Sequence, residues 1–313
     1  MKKILSLIVF LSFALSVQAQ FTKQDTLRGS ITPERAWWDL RQYNLSVEVF
    51  PEKQSIQGVN TITYTVLESK EVMQIDLQMP MKIEKVTQKG KELSFTSEGS
   101  AHFIKLKEKQ KKGTTNTLTV QFSGTPKVAR NPPWDGGFTW RKDSQGNHFI
   151  ANSNQGIGSS IWWPNKDHPA DEPDKGVNLE ITAPSNVVAV GNGRLINSEE
   201  MGGKKTWTWK VVNPINNYAI NVNIGDYVHF SEKYKGEKGE LDMDYWVLRE
   251  NEAKAKAQFK QAPMMMKAFE HWFGPYPFYE DSFKLVEVPY LGMEHQSSVT
   301  YGNGYGNGYL GND

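Results

Sequence analysis

Between about residue 40 and residue 248 the hydrophobic pattern has a period of two. Met73, Ile75 and Leu77 alternate with Gln74 and Asp76, and Leu118, Val120 and Phe122 alternate with Thr119 and Gln121. Val177, Leu179 and Ile181 alternate with Asn178, Glu180 and Thr182, and Trp207, Trp209 and Val211 with Thr206, Thr208 and Lys210. Ile220, Val222 and Ile224 alternate with Asn221 and Asn223. Each run predicts a strand that buries one face and wets the other. Gly99-Ser100, Gly113 and Gly202-Gly203 mark breaks between such runs. Many strands with no helical pattern between them predict an antiparallel β-sandwich or saddle.

The period changes after Arg249. Phe259, Ala262, Met266, Phe269 and Phe273 recur at spacings of three and four, which predicts one apolar helix face. Asn251 is placed to cap its start, and Gly274-Pro275 to end it. Pro263 lies inside the pattern and predicts a kink or a split. Met264, Met265 and Met266 read as core filling. A strand is expected over 283–288, and the Gly/Asn/Tyr-rich tail over 301–313 reads as a loop. The fold class expected is therefore mainly β, with a helix and edge strands at the C-terminal end.

Composition sharpens the picture in four places. The chain has 313 residues, enough for one large domain or two ordinary ones. Lys2 and Lys3 precede an apolar run from Ile4 to Val17, and Val17-Gln18-Ala19 fits a small-residue cleavage site. This predicts a secretory signal peptide over 1–19, a secreted or periplasmic location and no membrane span after cleavage. There is no cysteine, so disulfides and thiolate chemistry are excluded. Lysines crowd 105–112 without interleaved aromatics in a chain of net charge +1, which reads as a solvated hairpin end and gives no nucleic-acid partner. The expected organisation is a linker over 20–39, a β domain over 40–248 and a second unit over 249–313.

The six histidines include no pair at i and i+4, so His-Glu-x-x-His is absent from the sequence. No Gly-x-Ser-x-Gly and no phosphate-binding loop is present, and the alternating glycines from Gly302 to Gly308 follow no βα unit. Asp167 to Asp174 is rich in oxygen ligands but lacks the alternation and central glycine of an EF-hand. It reads as a proline-stiffened polar surface loop.

The stretch Leu291-Gly292-Met293-Glu294-His295 carries more. It is preceded by Phe273-Gly274-Pro275-Tyr276-Pro277 and by a predicted strand ending at Pro289, and is followed by Thr300-Tyr301. Upstream lie Trp163-Pro164-Asn165-Lys166-Asp167, then Asp171-Glu172-Pro173, then the 177–184 run. These segments resemble the M1 family of zinc aminopeptidases, from its Phe-Pro-Cys-x-Asp-Glu-Pro region to its Gly-x-Met-Glu-Asn strand. The resemblance covers roughly residue 40 to the chain end and implies an M1-like N-terminal β domain followed by the start of a thermolysin-like catalytic domain. It further implies that Glu294 and Gln155, nine residues before Pro164, hold the substrate amine, with Gly292 and Met293 on the substrate-gripping strand. Three departures stand out. His295 replaces the usual asparagine, Asn165 replaces the usual cysteine, and extra residues separate Asp167 from Asp171.

The chemistry of that assignment is sound. A free α-amino group has a pKa of about 8 and is largely charged near neutrality. A carboxylate such as that of Glu294 makes a charge-assisted hydrogen bond to it, and Gln155 offers a second acceptor. Gly292 has no side chain, so a peptide backbone can approach and pair with the strand. By resemblance the zinc-binding helix, the distal glutamate ligand and the catalytic tyrosine are expected beyond residue 313. No catalytic residue and no metal ligand is therefore assigned within this chain, and alone it is expected to be inactive. The first expectation is thus the N-terminal portion of a secreted aminopeptidase that acts on peptides with a free N-terminus and needs zinc when complete. The second is a non-catalytic secreted β-sandwich module that binds peptide N-termini. Epoxide hydrolase activity in the parent protein would require the same zinc helix.

Overall fold

A computed structural model describes residues 21–306 and residue 308. The expected signal peptide and the last five residues lie outside the described residues. Among the described residues there are four α-helices: α1 (Lys23–Gly29), α2 (Pro33–Ala36), α3 (Glu252–Gln258) and α4 (Ala262–Phe273). The strands begin with β1 (Trp38–Phe50), β2 (Ser55–Val66), β3 (Val72–Asp76), β4 (Lys82–Gln88), β5 (Lys91–Glu92), β6 (Ser94–Glu98), β7 (Ala101–Lys105) and β8 (Thr115–Gly124). Then come β9 (Gly137–Lys142), β10 (His148–Ser153), β11 (Val177–Pro184), β12 (Val188–Val190), β13 (Arg194–Met201), β14 (Lys204–Val211) and β15 (Asn223–Gly225). The last are β16 (Tyr227–Gly236), β17 (Gly239–Leu248), β18 (Phe283–Glu287), β19 (Gly292–Met293) and β20 (Val299–Tyr301).

The mainly β architecture expected from the period-two runs is what the chain adopts. An eight-stranded sheet runs β13-β14-β11-β1-β2-β8-β4-β5. It is antiparallel except where β1 and β11 pair in parallel. A four-stranded sheet, β12-β15-β10-β9, and a three-stranded sheet, β3-β7-β6, complete the N-terminal part. The inward faces meet in one large core containing Trp37, Trp38, Trp162, Trp163 and Trp209. Burying five indoles supplies a large share of the apolar area that drives the fold. The expected turns hold: Gly99, Gly113, Gly202 and Gly203 all take positive φ.

The alternation fails at two places. On β3, Gln74 and Asp76 are buried along with Met73 and Ile75, because residues 21–36 pack over the face expected to be wet. Thr32 donates to Gln74 at 2.7 Å, and Arg35 meets Asp76 at 2.6 Å with both side chains almost sealed. The segment expected as a linker is thus two short helices docked on β3. Asn221 and Asn223 are also fully buried, and Ile220 to Val222 is not a strand. Side-chain amides replace the ladder there.

A mixed five-stranded sheet, β16-β17-β18-β20-β19, forms the C-terminal part, with β17-β18 and β18-β20 parallel. It joins strands from both sides of the boundary expected at residue 248. The helical pattern splits at a 3-10 turn, Phe259–Gln261, which places Pro263 in the first turn of α4, where its missing N–H costs nothing. Phe259, Ala262 and Met266 pack on Leu241, Met243 and Tyr245 in a second core. Phe269 and Phe273, predicted on the same buried face, are exposed beside an apolar groove lined by Met265, Met266 and Tyr276. Asn251 makes no cap; its amide donates to Glu287 at 2.7 Å. Gly274 ends the helix as expected, its N–H donating to the Glu270 carbonyl. Among the described residues no helix is long and apolar enough to cross a membrane.

Candidate functional site

Glu294 follows the short edge strand β19. The strand is shaped by Gly292, whose φ is +113° and whose missing Cβ would lie 2.4 Å from the Thr300 carbonyl oxygen. Only glycine meets both conditions, so Gly292 lets the chain close against β20. Met293 pairs with Thr300 and is buried, which turns the next side chain outward. Glu294 is accordingly exposed, and its Oε1 accepts a hydrogen bond of 3.2 Å from the Tyr218 hydroxyl. Burial pushes the Tyr218 hydroxyl up to about 12, with the Glu294 carboxylate adding to the effect, so it is the donor throughout the neutral range.

His295 is fully buried behind Glu294. Its Nδ1 accepts from the Asn221 amide at 2.7 Å, which leaves the proton on Nε2. Nε2 has no partner among the described residues. Burial pushes the imidazole down to about 3, so it is neutral. The same Asn221 amide also reaches the Ser298 carbonyl at 3.2 Å. The change from asparagine to histidine is therefore met by a local partner.

Gln155 lies just after β10 in a tight turn, where the N–H of Gly158 returns to the Asn154 carbonyl at 2.9 Å. Its side chain is exposed. The neighbouring Asn154 amide donates to the carbonyls of Tyr218 (2.9 Å) and Ile220 (3.2 Å). Gly292, Met293 and Glu294 thus stand together on one edge, while it is Asn154, the residue before Gln155, that is tied to the 218–221 segment. No hydrogen bond joins Gln155 to Glu294 directly. Two exposed acceptor side chains of this kind can pair with an ammonium group.

Tyr218 and Asn221 were invisible to pattern reasoning. The available signal was the density of asparagine over 213–223, five in eleven residues, of which only the end, from Ile220, reads as an alternating strand. Asparagine disfavours ladders and supplies its own donors and acceptors. That density marks backbone held by side chains.

The acidic segment after Trp163 is structural. Asp167 accepts from the Ser160 backbone N–H at 3.1 Å and its hydroxyl at 2.5 Å, and from the Ser159 hydroxyl at 3.2 Å. Asp171 pairs with the buried Lys166, and Asp174 with Arg41. The carboxylates of Asp167, Asp171 and Asp174 are occupied in holding the chain, so the segment does more than a polar surface loop need do. Asn165, in the place of the family's cysteine, exchanges two backbone hydrogen bonds with Asp76 (2.8 and 3.1 Å) and donates its amide to the Trp163 carbonyl at 2.8 Å. Among the described residues no group of three or more His, Cys, Asp or Glu side chains is arranged to hold a metal ion. The described residues do not fit a zinc site.

The profile of the Peptidase M1 N-terminal domain matches residues 40–219, more than half of the chain. The chain belongs to the M1 peptidase family. No curated protein sequence matches it. Among solved structures, the M1 zinc metallopeptidase of Deinococcus radiodurans is similar, with a TM-score of 0.74 and 20% identity over 90% of this chain and 64% of that one. A mutant of that enzyme bound to the substrate Tyr-Ser-Ala matches with the same score and identity, over 88% and 63%. So does a two-domain M1 zinc metallopeptidase mutant bound to L-tryptophan, over 90% and 65%. At this identity the likeness shows the shared fold. The M1 chain described here spans just under two thirds of the length of these structures.

Proposed function

We propose that this chain is the substrate-holding portion of a secreted M1 zinc aminopeptidase that releases N-terminal residues from peptides. Glu294 and Gln155 accept hydrogen bonds from the substrate's α-ammonium group, and β19 offers its open edge to the peptide backbone. In the complete enzyme zinc would polarise the scissile carbonyl and activate water, through ligands that the described residues do not supply. What supports the reading is one observation above the others. In a family of peptidases, Glu294 projects from the exposed end of an edge strand with Oε1 oriented by Tyr218 and Oε2 without a protein partner among the described residues. That is the arrangement an exposed carboxylate needs to meet a cation from one direction. The structural neighbours bound to Tyr-Ser-Ala and to L-tryptophan bear ligands with a free amine, in keeping with it.

Calorimetry on the 313-residue chain tests the proposal, with trialanine and its N-acetylated twin as probes. Binding of trialanine at least about tenfold tighter than its twin, abolished in Glu294→Gln and weakened in Gln155→Ala, is the expected result. Equal binding of both peptides, or of neither, would refute the anchor. Secretion is checked separately by sequencing the N-terminus of the mature protein; cleavage near residue 19 is expected.

A further inference from the structure

We propose that Asn221 and His295 are positioning residues that fix where the Glu294 carboxylate points. The inference rests on reading Glu294 as the amine anchor and extends it to the groups that hold the anchor in place. Glu294 is a long, exposed side chain, and its direction depends on its backbone and on the Tyr218 hydroxyl. Both are controlled from the same segment. The backbone is held from the next residue, His295, whose ring is sealed in the interior and bonded to Asn221 at 2.7 Å. Tyr218 lies three residues before Asn221 on that segment.

The segment is clamped by side-chain amides on every side. The Asn221 N–H donates to Asn192 Oδ1 at 2.9 Å, and the Val222 N–H to Asn152 Oδ1 at 2.7 Å. Asn192 in turn donates to the Ala219 carbonyl at 2.8 Å and to the Gln296 carbonyl at 2.7 Å, so it grips both the Tyr218 side and the Glu294 side. The Asn221–His295 bond closes this loop of contacts directly behind the anchor. Acceptor and orienting hydroxyl therefore move together or not at all, which lowers the ordering cost when a substrate amine binds. The pair contributes little net stability, because His295 Nε2 and Asn221 Oδ1 are buried without partners among the described residues. Variants here are expected to fold.

The test compares trialanine with N-acetyl-trialanine by calorimetry on the parent chain and on Asn221→Ala, His295→Phe, His295→Asn and Glu294→Gln. Phenylalanine keeps the ring volume but cannot accept from Asn221. Asparagine can accept at Oδ1 in place of Nδ1. The free-amine preference should fall about tenfold in Asn221→Ala and His295→Phe and return in His295→Asn. Imidazole nitrogen shifts give a readout independent of binding: His295 in the parent should be the neutral Nε2–H tautomer at pH 5, and its Nδ1 shift should move in Asn221→Ala. A parent preference that survives in both Asn221→Ala and His295→Phe, or a Nδ1 shift unmoved by Asn221→Ala, overturns this inference while leaving the anchor intact. A parent with no preference, or one whose preference survives Glu294→Gln, overturns the anchor reading and this inference with it.

Discussion

Asp76 occupies a position that the β3 alternation marks as wet, yet its carboxylate is sealed against Arg35 at 2.6 Å. Burial raises its pKa and the guanidinium opposes that, so the charge depends on its partner. Replacing Arg35 by methionine should cost about 3–5 kcal/mol in urea denaturation, since it leaves a buried carboxylate uncompensated. His295 makes a second prediction at this scale. Its folded pKa is about 3 against an ordinary 6.5. Between those values the unfolded chain binds more protons, so stability is full above about 6.5 and falls as the pH drops toward 3. Denaturation at pH 7 and pH 4 should show this loss, and it should shrink in His295→Asn. The need for glycine at position 292 was legible in the sequence, because only a residue without a side chain lets another backbone come close. Tyr218 was not, because its role depends on a hydroxyl that meets a carboxylate 76 positions away.

At the level of elements, the sequence pattern gave good strand positions and poorer helix faces. β8, β11 and β14 bury the residues their alternation selects. The α4 face was misread at its end, since Phe269 and Phe273 fit the helical period but are left exposed by the described residues. Periodicity reports which residues share a face, and only a neighbouring element decides whether that face is covered. β19 depends on a single glycine. Gly292→Ala should strain the backbone at φ +113° and press a methyl group against the Thr300 carbonyl. The expected cost is about 1–3 kcal/mol, with faster amide exchange at Met293 and Thr300 and little change in the eight-stranded sheet. Uniform exchange across all sheets would argue against a local role.

Across the whole molecule, the two cores meet at the turn between β12 and β13. Gly193 accepts from the Lys284 ammonium and donates to the Ser297 hydroxyl at 2.9 Å, and Arg194 reaches the Glu280 carbonyl at 2.6 Å and Asp242 at 2.5 Å. Lys284 is buried beside the Trp209 ring. Burial lowers its ammonium from 10.5 to about 7, against the pull of Asp244 and Asp281 and with some help from Arg194. The unfolded chain therefore binds more protons between about pH 7 and 10.5, and stability should rise with pH across that window by at most ~1.4 kcal/mol per unit. Urea denaturation between pH 7 and 9 should show the rise, and Lys284→Met should flatten it.

The sequence by itself determined the β character, the strand positions, the split helix and the motif that ends in Glu294. These follow from local periodicity and from residue types whose chemistry is the same wherever they lie. Tertiary structure alone decided that residues 21–36 dock on β3, that Asn221 is buried against His295, and that the Tyr218 hydroxyl meets the Glu294 carboxylate from a distant part of the chain. Each of these exchanges hydration of a polar group for a partner distant in sequence. Such a trade is set by which surfaces come together, and no local pattern of hydrophobic and polar positions encodes it.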